Sequence, residues 1–193
     1  GTDGCLLGGW FDTSFSKRIL DIGCGTGLIS IMAAQRCDAD ITGVEIDKAA
    51  SEQARTNVDN SPWSDRISIL NTDILLYSPE QPFDTIVCNP PYFVNSLKCG
   101  TESRTLARHS DTLDCTSFFK KAISLLADGG RISIVIPCDI LDEWKDAAAI
   151  NGFANSRLTY IKTTPRKAPK RVLAEFVRAY TVETIVSTLV LED

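Results

Sequence analysis

Two short stretches carry residues whose types and spacing suit chemistry. The first is Cys88–Phe93 (CNPPYF), placed where an apolar strand should end. Adjacent Pro90 and Pro91 have fixed φ and cannot donate ladder hydrogen bonds, so they stop the strand and present a stiff loop. A rigid turn with Tyr92 and Phe93 packed as core accounts for the prolines and the aromatics but gives no reason for Asn89. A holder for a planar amine uses all of them. The amino group of adenine is a poor nucleophile because its lone pair is delocalised into the ring. The Asn89 side-chain oxygen and the Pro90 carbonyl can each accept one of its two N–H protons, leaving the lone pair facing an incoming methyl group. Tyr92 or Phe93 can then stack on the ring, a contact worth about 1–3 kcal/mol per base.

The second stretch is Asp21–Gly27 (DIGCGTG), which follows an apolar run and opens a helix. Gly23, Gly25 and Gly27 allow a tight turn and let a ligand lie against main-chain atoms that a Cβ would push away. The spacing is GxGxG rather than the dinucleotide pattern GxGxxG, and the bland alternative is a tight strand-to-helix turn. Glu45, in GVEID, ends the next strand about 20 residues on, where an acid meets a ribose in this kind of architecture. One carboxylate can accept from both hydroxyls of a vicinal diol. Asp47 points to the other side of an extended chain and is read as the N-cap of the following helix. Asp73, in NTDIL, is placed either to accept from an adenine amine or to make a turn.

The elements that must position these residues alternate strand with helix. Strands are expected at Arg18–Ile22, Ile41–Ile46, Ile67–Leu70, Thr85–Cys88 and Arg131–Ile136. Helices are expected at Leu28–Gln35, Lys48–Val58 and Thr116–Ala127, the last closed by Asp128-Gly129-Gly130. This order implies an α/β fold, a doubly wound and mostly parallel sheet that binds its ligand at the carboxyl ends of its strands. The tail has strand-like runs at Leu158–Thr163, Val172–Tyr180 and Thr184–Leu191 without helices between them, which suits an antiparallel C-terminal edge.

The 193 residues fit one domain, 1–193, read as beginning partway into a longer chain because the first residue is Gly1. No export signal and no run of about 18 apolar residues is visible, so no membrane span is expected. Seven cysteines without a CxxC pair point to reduced thiols and a cytoplasmic protein. A single histidine, His109, makes a metal site improbable. The net charge of −5 does not advertise nucleic-acid binding, so any such contact must come from a local patch. Lys162–Arg171 (KTTPRKAPKR) is one, with five bases and no acid, a solvated hairpin loop being the alternative. No motif specifies an oligomeric state.

DIGCGTG, GVEID and NPPY, in that order, resemble the class I S-adenosylmethionine-dependent methyltransferases that act on amino groups. GTDGCLLGGW, NPPYF, RTLARH and PKRVLAEF more closely resemble the bacterial tRNA(Val) adenine N6-methyltransferase family. The resemblance covers nearly the whole chain and implies a Rossmann-like sheet of seven strands, S-adenosyl-L-methionine as cofactor and tRNA as substrate. It further implies that Asp21, Gly23, Gly25, Gly27, Glu45, Ile46, Asp73, Ile74 and Asn89 contact the cofactor. Asn89, Pro90, Pro91 and Tyr92 would hold the target base, and Phe93, Arg104, Arg108, Arg166, Lys167, Lys170 and Arg171 the rest of the substrate. A glutamine N5-methyltransferase acting on protein, a DNA adenine methyltransferase and an inactive RNA-gripping module share these motifs. Pro137-Cys138 raises a fourth reading, a cysteine nucleophile for cytosine C5, against which a buried structural thiol is favoured.

Overall fold

The computed structural model describes residues 1–90 and 113–192. Helix α1 (Thr2–Trp10) leads into β1 (Arg18–Ile22), α2 (Leu28–Arg36), β2 (Asp40–Glu45), α3 (Lys48–Asp59), β3 (Ile67–Asn71) and β4 (Phe83–Cys88). Beyond residue 112 follow α4 (Cys115–Leu125), β5 (Leu126–Pro137), a 3-10 turn (Cys138–Ile140), α5 (Leu141–Ile150), β6 (Phe153–Lys162), β7 (Arg171–Arg178) and β8 (Ile185–Val190). The strands form one sheet in the order β3-β2-β1-β4-β5-β7-β6-β8.

The centre of the sheet is buried on both faces, which is why its strands read as near-continuous apolar runs. Leu20, Ile22, Ile86, Ile132 and Ile134 pack under α4 and α5, where Phe118, Phe119 and Trp144 cluster. Phe119 meets Phe176 edge-on at 5.1 Å and Trp144 at 5.8 Å between ring centroids. Ile19, Ile41, Val87 and Val135 face the other way, against Leu7, Ile29, Ala33, Ala54 and Val58 of α1, α2 and α3. The winding runs outward from β1 through β2 to β3, then restarts at β4 on the other side of β1. The carboxyl ends of β1 and β4 therefore flank the crevice where such a sheet binds ligands.

Three features of the sheet depart from the sequence expectation. Among the described residues the sheet has eight strands, not seven. Its C-terminal side is not uniformly antiparallel: only β7 runs against its neighbours, and β8 pairs parallel with β6 at the outer edge. Asp128-Gly129-Gly130 does not cap α4, which ends at Leu125 with Leu126 as C-cap. Leu126 already pairs with Phe83, and the register shift before Thr85 absorbs the two glycines. A Cβ on Gly130 would stand 2.8 Å from the Asp84 carbonyl, so glycine there serves strand approach rather than helix termination.

Helices α1 and α5 were not expected. α5 buries Leu141, Trp144, Ala147 and Ala148 along one face. α1 contains Gly4, Gly8 and Gly9 in nine residues, a poor helical composition by intrinsic propensity. Tertiary packing overrides it: a Cβ on Gly8 would lie 2.6 Å from Met32 Sδ, so α1 can approach α2 this closely only without a side chain there. The carboxyl end of α1 is fixed by Trp10, whose Nε1–H donates to Thr159 Oγ1 (2.9 Å) and whose ring carries the Arg157 guanidinium at 3.8 Å. Among the described residues no helix is long and apolar enough to cross a membrane.

Candidate cofactor and amine site

A cavity of about 430 Å³ opens at the carboxyl ends of β1, β2 and β4. Its lining includes Gly23 after β1, Glu45 and Ile46 at the end of β2, Asp73, Ile74 and Leu75 after β3, and Asn89 and Pro90 after β4. Leu113, Asp114 and Ser117, at the start of α4, line it from across the edge.

The glycine loop is held by main-chain bonds. The N–H groups of Gly23 and Cys24 both donate to the Val44 carbonyl, at 2.8 and 3.1 Å. Gly23 and Gly25 adopt φ of 66° and 54°, in the left-handed region that most residues avoid. A Cβ built on either would meet nothing within 4 Å among the described residues, so the loop presents bare backbone. Glu45 locks that loop to the end of β2. Its Oε2 accepts from Gly25 N–H (2.8 Å) and its Oε1 from Asp47 N–H (2.9 Å). Each oxygen keeps a further lone pair, so the carboxylate can still accept two hydroxyl donors. Asp47 caps α3 as expected, accepting from Ala50 N–H at 2.7 Å.

Asp21 lies behind the loop instead of in the cavity. It is 1% exposed; its Oδ2 accepts from Ser30 Oγ at 2.7 Å, and its Oδ1 has no hydrogen-bond partner among the described residues. Burial pushes its carboxyl up to about 6, the Ser30 bonds opposing and the Glu45 charge adding to the rise. Gly25 and Gly27 also lie outside the lining; Gly25 acts through Glu45, and Gly27 begins α2 in a left-handed conformation against Ala54. Asp73 makes the turn that is one of its two expected roles. Its Oδ1 accepts from Leu75 N–H (2.9 Å), making a turn, while the residue lines the cavity.

Several residues that line or brace the cavity carry no motif in the sequence. Asp114 is the N-cap of α4 and holds Ser117 through its amide (3.0 Å) and hydroxyl (2.7 Å). Burial works against its ionisation, but the bonds from Ser117, together with the backbone amides of the helix start, outweigh it and hold its carboxyl below the usual range. An Asp-x-x-Ser start to an apolar run marks a helix N-terminus, though not its place beside a cavity. Asn71 anchors the turn after β2, its amide donating to the carbonyls of Glu45 (2.9 Å) and Ile46 (3.0 Å). Lys121 Nζ donates to the Leu75 carbonyl (3.1 Å), tying α4 to the lip.

Among the described cysteines, the two nearest the glycine loop and the cavity floor are poor nucleophiles. Burial, then the charges of Asp21 and Glu45, raises the thiols of Cys24 and Cys88. Cys88 is strand core as expected and also floors the cavity. Cys138 is half-buried rather than buried, its thiol raised chiefly by burial, and it stands outside the cavity lining.

Pro91, Tyr92, Phe93, Arg104, Arg108 and His109 lie outside the described residues. Arg166, Lys167 and Lys170 are exposed on the β6–β7 loop. Because β6 runs with β5, that loop leaves the same sheet edge as the cavity, and Cys138 N–H donating to the Lys170 carbonyl (3.2 Å) ties it to the end of β5. Arg171 is different: its Nε donates to Asp3 Oδ2 at 2.9 Å in a part-buried ion pair with α1.

The family described as methyltransferase small domain matches residues 4–141, a span that runs from α1 through the cavity-lining residues. A tRNA1(Val) (adenine(37)-N6)-methyltransferase of Phocaeicola vulgatus is 50% identical over 176 residues, covering 91% of this chain and 75% of that relative. Among solved structures, a predicted O-methyltransferase from Agrobacterium tumefaciens superposes with a TM-score of 0.73 at 22% identity, covering 97% of this chain and 85% of the other. A glycopeptide N-methyltransferase complexed with S-adenosyl-L-methionine superposes with a TM-score of 0.64 at 12% identity, covering 85% and 88%. At those identities the structural likeness concerns the fold. The sequence likeness goes further: this chain belongs to the methyltransferase small domain family and, within it, to the tRNA1(Val) (adenine(37)-N6)-methyltransferase family.

Proposed function

We propose that this chain transfers a methyl group from S-adenosyl-L-methionine to the exocyclic amine of an adenine in tRNA, the anticodon-loop adenine 37 of tRNA1(Val) for which its relatives are named. One observation carries the reading. A carboxylate suited to a ribose and an Asn-Pro pair suited to a planar amine line the same cavity, at a size of about 430 Å³.

The residues present fit the cofactor. Bare backbone at Gly23 leaves room that a Cβ would fill, and Glu45 retains acceptor capacity for both ribose hydroxyls. Ile46 and Leu75, 51% and 46% exposed, offer apolar surface beside the cavity for a flat ring. Asp73, with Oδ1 engaged by Leu75 N–H, keeps its second oxygen for an adenine amine. When bound, S-adenosyl-L-methionine supplies a sulfonium methyl, an electrophile that is already activated.

The work left to the protein is positioning. Asn89 and the Pro90 carbonyl each accept one N–H of the target amine and aim its lone pair along the line of attack. As the N–C bond forms, the S–C bond would break to leave a neutral thioether, and the attacking nitrogen would become acidic enough to pass its extra proton to water, so no strong general base is required. An adenine inside a helix is out of reach, and a loop adenine avoids most of the cost of swinging a base out, a few kcal/mol. Exposed Arg166, Lys167 and Lys170, on the same edge as the cavity, suit the phosphate backbone of a stem-loop.

The test is methyl transfer from radiolabelled cofactor to unmodified tRNA1(Val), to the same transcript with guanine at position 37, to protein extract and to DNA. Incorporation confined to the first supports the reading; equal labelling of both transcripts, or labelling of protein or DNA alone, overturns it. Asn89→Ala should lower kcat by about 100-fold or more while cofactor Kd stays within about threefold, because its bonds are made to the attacking group. Equal loss of both would remove Asn89 from the assigned role.

A further inference from the structure

The first turn of α1 forms part of the wall behind Asn89. A Cβ built on Gly4 would lie 3.4 Å from Leu28 Cδ2 and 3.9 Å from Asn89 Nδ2. That turn has no side-chain cap at its N-terminus, where Gly1 is the N-cap. What fastens it is the neighbouring residue: Asp3 Oδ2 accepts from Arg171 Nε at 2.9 Å, with the two side chains 26% and 35% exposed. Toward its other end α1 is held separately, by Arg36 Nη1 donating to the Gly8 carbonyl (2.8 Å) and by the Trp10 contacts with β6.

Arg171 is the first residue of β7, paired with Pro137 at the end of β5 and with Ile161 near the end of β6. It directly follows the loop bearing Arg166, Lys167 and Lys170, and its Nη1 donates to the Lys170 carbonyl at 3.2 Å. One guanidinium thus joins the base of the basic loop to the helix turn that backs the amide. The pair spans nearly the whole chain, and charge composition alone assigns Arg171 to the solvent-facing basic run.

We infer that Asp3 and Arg171 are a positioning pair for the methyl transfer: their ion pair latches the first turn of α1 behind Asn89 and couples that wall to the basic β6–β7 loop. The inference rests on the proposed function of Asn89. It takes Arg171 out of direct RNA contact and makes Asp3, which no charge run marks, part of the support for the amine holder. The physical warrant is the sensitivity of transfer to small displacements, since misplacing a reacting group by about 1 Å can cost on the order of 100-fold in rate.

The experiment is a double-mutant cycle of Asp3→Ala, Arg171→Ala and the double variant, each assayed for tRNA1(Val) methylation, cofactor Kd by calorimetry and thermal midpoint. Each single substitution should lower kcat about tenfold or more while KM for tRNA and cofactor Kd stay within about twofold, and the double variant should lose no more than the worse single. Three results overturn the pair: a raised tRNA KM in Arg171→Ala that Asp3→Ala does not share, additive losses in the double variant, or a fall in thermal midpoint with kcat unchanged. A readout without turnover keeps the two proposals distinguishable. In protein labelled with 15N-asparagine, the Asn89 side-chain amide resonances, assigned by their loss in Asn89→Ala, should shift in Asp3→Ala and shift alike in Arg171→Ala. Wild-type protein that labels no tRNA defeats the enzymatic reading, whereas Asn89 resonances identical in wild type and both single variants defeat the positioning pair.

Discussion

Asp21→Asn should make the protein more stable near neutral pH and less able to bind its cofactor. The wild-type carboxyl is 1% exposed, with Ser30 on Oδ2 and nothing on Oδ1 among the described residues, and is pushed from 3.8 up to about 6 by burial, Glu45 adding to the rise. A raised folded-state value means that the folded chain keeps this proton where the unfolded chain has released it. The stability that Asp21 contributes is therefore fully present below pH 3.8 and is lost as pH rises to about 6. At about 1.4 kcal/mol per pH unit, the loss amounts to about 3 kcal/mol at pH 7.5. Asparagine never ionises and can still accept from Ser30, but it places an N–H group where Oδ1 now lacks a partner, at a cost of about 1 kcal/mol. The variant should then be about 2 kcal/mol more stable than wild type at pH 7.5 and about 0.5 kcal/mol less stable at pH 4, crossing near pH 4.5. Urea unfolding of the cofactor-free protein from pH 4 to 8 measures the difference, and taking it between two proteins cancels the other carboxylates. Calorimetry with S-adenosyl-L-methionine at pH 7.5 should show weaker binding in the stabilised variant, the usual opposition between a strained site and its function. A stability difference that stays constant across the pH range would refute the reasoning, because it would mean that no carboxylate charge is being held in the apolar interior.

Glu45→Gln should weaken cofactor binding on the order of 10- to 100-fold by calorimetry, since an amide cannot accept from Gly25 and Asp47 together and still serve two hydroxyls; an unchanged Kd would contradict it. Glu175 is 4% exposed and pairs with Arg157 at 3.3 Å and Arg131 at 3.7 Å. Replacing it with alanine leaves Arg157 part-buried without its carboxylate and should cost about 3–5 kcal/mol in urea unfolding, a loss under 1 kcal/mol counting against the network. The triple variant Arg166→Glu, Lys167→Glu, Lys170→Glu should raise tRNA Kd and lower the log–log salt slope by about 1 for each phosphate contact removed, with cofactor Kd unchanged. An unaltered slope would take the β6–β7 loop out of RNA binding.

The fold is legible where local pattern and tertiary role agree. Runs such as Arg18–Ile22 and Thr85–Cys88 read as strands because a parallel sheet buried on both faces admits little but apolar residues. The same logic makes α5 readable in principle, since Leu141, Trp144, Ala147 and Ala148 recur at helical spacing. α1 is not readable that way. Its glycines lower helix propensity, and the reason for a helix is Met32, on another element and far along the chain. At β5, two glycines after a helix look like a cap by local rules, yet Gly130 answers to the Asp84 carbonyl on the neighbouring strand. In both places a glycine is needed for the approach of a partner that adjacent residues do not name.

The candidate site divides along the same line. Gly23, Glu45, Asp73 and Asn89 can be grouped from the residue pattern alone because each follows or ends a strand, and the carboxyl ends of parallel strands necessarily open on one edge. Topology converts four positions scattered over the chain into neighbours without any knowledge of loop paths. The helical contributions obey no such rule. Asp114 and Ser117 reach the cavity from the start of α4, and Gly4 reaches Asn89 from α1, by crossing that edge at positions set by packing. Arg171 shows the cost of reading charge by composition, because a run of five bases identifies a solvent-facing loop well but cannot tell which base has a carboxylate waiting 168 residues away. Strand ends in a doubly wound sheet therefore announce the chemistry, while the residues that tune and brace it come from helices and are visible only once the chain has closed on itself.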